Sequence, residues 1–130
     1  MGDDVALIRG VYDAFNRGDF EAAAASLSAD VCWEDPPELP GSDVHRGREG
    51  VKRFWQEFTD PFDRYEMRLG AFEEVGGHWL VEVHVSGHGR GSGLDAEADF
   101  TQVWTIADGA VLRSRSYLDR DDAVRAALDN

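Results

Sequence analysis

The stretch HWLVEVHVSGH, residues 78–88, decides the fold. Trp79, Val81, Val83 and Val85 occupy every second position, against His78, Leu80, Glu82, His84 and Ser86. A period of two marks a strand with one buried face. The flanking segments share the pattern. Upstream, YEMRLGAFEEV (65–75) places Tyr65, Met67, Leu69 and Ala71 on one face, and Gly76-Gly77 supplies a turn. Downstream, GRGSG (89–93) turns into DAEADFTQVWTI (95–106), Asp108-Gly109 makes a tight hairpin, and AVLRSRSYL (110–118) follows. The order predicts an antiparallel meander of four long strands.

The first half has a different period. Val5, Ile8, Tyr12 and Phe15 recur at helical steps, and the stripe ends at Asn16-Arg17-Gly18. Asp19 is placed to cap a short helix, FEAAAASL (20–27). VCWEDPP (31–37) reads as a strand stopped by its proline pair. A Pro/Gly-rich loop and an amphipathic helix, REGVKRFWQEF (48–58), complete this half. At the far end Asp119 caps a terminal helix, RDDAVRAAL (120–128). Helices precede a meander, so the class is α+β, one domain over 1–130. A sheet curved over helices leaves a cavity on its concave face.

Charge narrows the partners. The chain has 26 acidic and 13 basic side chains, a net charge of −13. Nucleic acid and anionic membranes are excluded as expected partners, since phosphate binding needs clustered Lys and Arg. The single cysteine, Cys32, forms no intramolecular disulfide, and the N-terminus lacks a signal-peptide pattern, so a soluble cytoplasmic protein is expected. Four histidines (45, 78, 84 and 88) show no metal-ligand spacing, and GRGSG has no following helix or lysine to bind phosphate. No metal and no cofactor are expected.

The segments FNRGDF, ADVCWEDPP, HRGREGVKRFW and WTIADGAVLRSRSYLD, in this order and spacing, resemble the SnoaL-like branch of the NTF2-like superfamily. The resemblance covers nearly the whole chain. It implies a cone-shaped α+β barrel and a homodimer paired through the convex sheet face, where Thr101 and Val103 would lie. The superfamily includes ketosteroid isomerases, polyketide cyclases, epoxide hydrolases, dehydratases and ligand binders, so fold does not settle function.

Parity puts Val31, Trp33 and Asp35 on one face and Cys32 and Glu34 on the other. Trp33 is large and apolar, so its face is expected to be concave, with Asp35 at the cavity end. Burial there would raise the carboxylate's proton affinity towards neutrality. The ketosteroid-isomerase members hold their general base at this position, which implies an acid/base role for Asp35. The alternative is that Asp35 caps a turn before Pro36. The family's oxyanion tyrosine aligns with Val11, and Tyr12 lies about 100° further around the helix. The family's protonated aspartate aligns with Gln102, an amide among Phe100, Trp104 and Ile106. Gln102 either meets a ligand oxygen or is satisfied by a neighbour. The epoxide-hydrolase cluster maps to Glu82, His84 and Ser116, without its arginine and final aspartate. Glu82 and His84 oppose the valine face and are expected on the convex side, near Glu97, Asp99, Arg113 and Arg115.

The expected catalytic residues are thus Asp35 and Gln102. Tyr12, Phe15, Trp33, Phe54, Trp55, Phe58, Phe100, Trp104, Ser116 and Leu118 are the expected pocket residues around a small apolar or cyclic ligand. Three functions follow. One is a cofactor-independent isomerase or cyclase; another is a non-catalytic binder. The third is an interaction domain whose cone is filled by its own tryptophans.

Overall fold

The alternating second half folds as four hairpin-linked strands. The computed structural model describes residues 2–129. Its elements are α1 (Gly2–Asn16), α2 (Phe20–Ala24), β1 (Leu27–Glu34), β2 (Val44–Arg46) and α3 (Gly47–Thr59), followed by β3 (Phe62–Val75), β4 (His78–Gly89), β5 (Asp95–Ala107), β6 (Ala110–Tyr117) and α4 (Arg120–Leu128). All six strands form one curved sheet in the order β2-β1-β6-β5-β4-β3. The sheet does not close, so the implied barrel is open, with β2 and β3 as its edges. The class is α+β. No helix among the described residues is long and apolar enough to cross a membrane.

Local chemistry explains the helix ends. Gly18 takes a φ of 75°, the left-handed conformation that glycine adopts freely. Asp19 then accepts a hydrogen bond from the Ala22 amide at 3.1 Å and starts α2. Asp119 does the same for α4 through the Asp121 amide at 2.7 Å. Asn16 works like a strand residue: its side chain donates to the Met67 carbonyl (3.0 Å) and accepts from the Met67 amide (2.8 Å). That pair ties the end of α1 to β3.

Several expectations need correction. The alanine run stops as a helix at Ala24, and Leu27 already belongs to β1. There it pairs with Val111 of β6, and tertiary pairing outweighs alanine's helix propensity. The β1–β6 pairing is parallel, so the sheet is not wholly antiparallel. The short β2 lies in what the sequence presents as loop, because three residues carry no period of their own. In β3 an irregularity between Leu69 and Phe72 shifts the register, so Phe72 packs on the core and Ala71 is exposed.

The core has two parts. The main cluster fills the concave side and joins Ile8, Val11, Phe15, Trp33, Trp55, Val81 and Trp104 to the helices. A second cluster lies on the convex side, where α4 covers Leu80 and Val103 with Ala123 and Ala127. Val103 is fully buried there, so it is not available to a second copy of the chain. Leu80 breaks the polar row of β4 for the same reason.

Beyond α4 the convex face is polar. His84 bonds Asp99 Oδ1 at 2.6 Å and Glu97 Oε1 at 2.8 Å, as strand parity predicts. Arg113 turns instead to Glu34 at 2.6 Å, and Arg115 reaches the Ala126 carbonyl. Hydrogen bonds that the His84 ring donates to Asp99 and then to Glu97 hold its pKa above the ordinary 6.5, opposed by desolvation and by Arg68. A raised folded pKa stabilises the fold fully below the ordinary value and loses that stabilisation as pH rises through the folded one. Urea unfolding between about pH 6 and pH 8 should therefore show wild-type stability declining more steeply than that of His84→Gln. Parallel pH profiles for the two proteins would contradict this.

Candidate functional site

β1 carries Trp33 and then Asp35 towards the concave side, as their shared parity requires. Asp35 follows the last residue of β1, and Pro36-Pro37 prevents further ladder bonding. The Asp35 amide donates to the Asp43 carbonyl at 3.1 Å, and the Asp43 amide donates back to Asp35 Oδ2 at 3.1 Å. This exchange closes the loop 36–42. The same Oδ2 lies 3.1 Å from His45 Nε2, each side chain being 17% exposed. The His45 ring stacks on Phe54, with centroids 4.0 Å apart and planes 16° from parallel. Oδ1 of Asp35 has no hydrogen-bond partner among the described residues. A carboxylate anchored through one oxygen and open at the other can accept or deliver a proton at a fixed position.

A second polar group sits deeper. Gln102 of β5 is only 2% exposed. Its Oε1 accepts from the Tyr12 hydroxyl at 2.6 Å and from the Trp104 indole at 3.0 Å. Its Nε2 donates to Ser116 Oγ, directly across the β5–β6 ladder, at 3.3 Å. The amide is thus satisfied by neighbours, and it also lines the cavity. Tyr12 reaches it although Val11 holds the position expected of an oxyanion tyrosine. Val11 is spent in the helix–sheet core, and the wide α1 stripe presents Tyr12 to β5. Burial pushes the Tyr12 phenol well above its ordinary value near 10, offset in part by the Gln102 bond, so the hydroxyl remains a donor.

Aromatic side chains build the walls between these two groups. Trp33 meets Trp55 and Trp104 edge to face, at 5.4 and 5.3 Å. The tryptophans do not fill the cone. A cavity of about 230 Å³ remains, and its lining is mainly apolar. Of the residues expected there, Tyr12, Trp33, Asp35, Phe54, Trp55, Phe58, Phe100, Gln102, Ser116 and Leu118 line it. Phe15 and Trp104 do not. Both are fully buried behind the wall, Phe15 against Tyr12 and Trp55, and Trp104 against Tyr12 and Trp33. Leu39 and Leu118, nearly half exposed, stand at the rim.

Sequence reasoning missed part of this site. Pro36, Leu39, Pro40, Gly41 and Ser42 line the cavity from the loop, and Met67, Val85 and Ala98 line it from strands. The Asp35–His45 contact was also invisible, since it depends on β2 setting His45 opposite Trp33. The other histidines have separate partners: His78 bonds Thr105 Oγ1, and His88 bonds Asp95. Among the described residues, no cluster of three or more His, Cys, Asp or Glu is placed to hold a metal. Cys32 faces away from Asp35 and accepts from Arg46 Nη1 at 3.0 Å. A larger hollow of about 560 Å³ lies on the other side of the sheet, but it is shallower, and four of its five charged groups among the described residues, Glu82, His84, Asp99 and Arg120 but not Arg68, already pair with neighbours.

Comparison with known proteins gives a consistent result. An NTF2-like protein of unknown function from Burkholderia pseudomallei superimposes with a TM-score of 0.79 at 22% identity, covering 96% of this chain and 97% of its own. TerC, co-crystallised with polyporic acid, gives 0.77 at 21% identity, with coverage of 98% and 99%. A putative polyketide cyclase from Xanthomonas campestris gives 0.71 at 22% identity, with 96% of each chain covered. At these identities the likeness is one of fold. No curated protein matches the sequence significantly. The model of the SnoaL-like domain matches residues 8–114, most of the chain, and the protein therefore belongs to the SnoaL-like domain family.

Proposed function

We propose that the cavity binds a small apolar, cyclic molecule and that Asp35 moves a proton on it as general acid/base, in a cofactor-independent isomerase- or cyclase-type reaction. One observation carries this reading. Asp35 lines an aromatic cavity, is fixed through Oδ2 by His45 and the Asp43 amide, and keeps Oδ1 open. Apolar walls exclude water and strengthen the interaction of that carboxylate with a bound group. The neighbour crystallised with polyporic acid and the neighbour described as a putative polyketide cyclase both accord with a pocket for a small organic molecule.

A second reading, binding without chemistry, has its own support. The Tyr12 proton is given to Gln102, so it is not offered to a substrate oxygen. Pairing of two copies through the free part of the convex face is also proposed, on the family resemblance. Light scattering at micromolar concentration should find a dimer, and a monomer would remove that proposal.

Proton transfer can be tested without the natural substrate. β-Tetralone in heavy water exchanges the hydrogens next to its carbonyl, and NMR follows the rate. The wild-type protein should accelerate this exchange, and Asp35→Asn should lose at least about 100-fold of the acceleration while keeping its fold. Equal exchange in the two proteins would sink the acid/base role and leave the binding reading.

A further inference from the structure

Asp35 is the one formally charged side chain among the described residues that line the aromatic cavity. It is 17% exposed, and its Oδ1 has no hydrogen-bond partner among the described residues. His45 meets Oδ2, and an imidazole is positive only when protonated. A second hollow, of about 270 Å³, adjoins the cavity, and Asp35, Ser42 and Ser116 line both. Its other charged groups do not balance Asp35. Glu34 pairs with Arg113, Arg115 reaches the Ala126 carbonyl of α4, and Asp43 adds a further carboxylate. The net charge of −13 gives the wider field the same sign, which draws cations to the protein.

That charge selects the ligand. A carboxylate oxygen without a protein partner depends on solvent, and a molecule that fills the cavity displaces it. A neutral apolar ring would leave the charge bare, and an anion would be repelled. A protonated amine instead returns a charge-assisted hydrogen bond. Aromatic walls suit an organic cation better than aliphatic ones, because ring faces attract positive charge. Size sets the rest. A cavity of about 150 Å³ takes benzene, and this one holds about 230 Å³. We infer that the cavity takes a one- or two-ring amine in its protonated form, with the ammonium at Asp35 and the rings against the aromatic walls. The inference deepens the reading of this cavity as a ligand site and does not rest on proton transfer by Asp35.

The probes are 2-aminotetralin, protonated at pH 7, and 2-methyltetralin, which carries a methyl group of similar bulk in place of the ammonium. Binding is read by tryptophan fluorescence. The wild type should bind the amine at least about fivefold more tightly than its neutral isostere, a comparison that needs no variant. Asp35→Asn keeps the shape of the side chain and removes its charge. It should weaken the amine at least about tenfold and change 2-methyltetralin by less than about twofold. Equal changes for both compounds, or a wild type without preference for the amine, would overturn the inference and leave a site for neutral ligands standing. Failure of the wild type to bind either compound would overturn this inference and the ligand-site reading together. Exchange of β-tetralone in heavy water reads proton transfer separately, so an Asp35 without that role leaves the result standing.

Discussion

A primary amide buried in an apolar cone must find partners, and much of this structure follows from how Gln102 finds them. Leaving a buried donor or acceptor unpaired costs roughly 1–3 kcal/mol, a large share of a domain's net stability. Here the partners come from three elements. Tyr12 belongs to α1, Trp104 to the same strand β5, and Ser116 to β6. The amide therefore sets the rotation of α1 against the sheet and the orientation of one tryptophan. It also makes one end of the cavity polar while its walls stay aromatic.

The void itself follows from packing geometry. Edge-to-face contacts among Trp33, Trp55 and Trp104 hold the rings apart at more than 5 Å between centroids. Rigid rings in that arrangement cannot collapse inward, so the space beside them persists. Asp35 closes the other end. Its exchange with Asp43 brings Leu39 and Pro40 over the rim, and the His45–Phe54 stack braces the carboxylate from α3. One carboxylate thus shapes the loop, lines the cavity and keeps its Oδ1 without a hydrogen-bond partner among the described residues. The two roles weighed for it in the sequence, turn closure and acid/base group, are compatible.

Much of this was legible in residue order. The alternation in β4 predicts the sheet, and the parity of β1 puts Trp33 and Asp35 on one face and Cys32 on the other. The hidden parts share a cause, dependence on long-range pairing. His45 meets Asp35 only because β2 runs beside β1, and three residues show no period. Val103 looks like an outer-face residue until α4 folds over it. Phe72 replaces Ala71 in the core because β3 shifts register at an irregularity that strict alternation cannot show. Gln102 was visible as an anomaly in an apolar row, but its acceptor could not be paired with Tyr12 from spacing alone, because 90 residues separate them.

The claim that this amide organises the cavity is tested most directly by equilibrium urea unfolding of Gln102→Leu. The substitution keeps the bulk and removes the acceptor, so the Tyr12 hydroxyl and the Trp104 indole are left without a partner. A loss of about 2–4 kcal/mol in unfolding free energy is predicted. A Gln102→Leu protein as stable as the wild type would contradict the account.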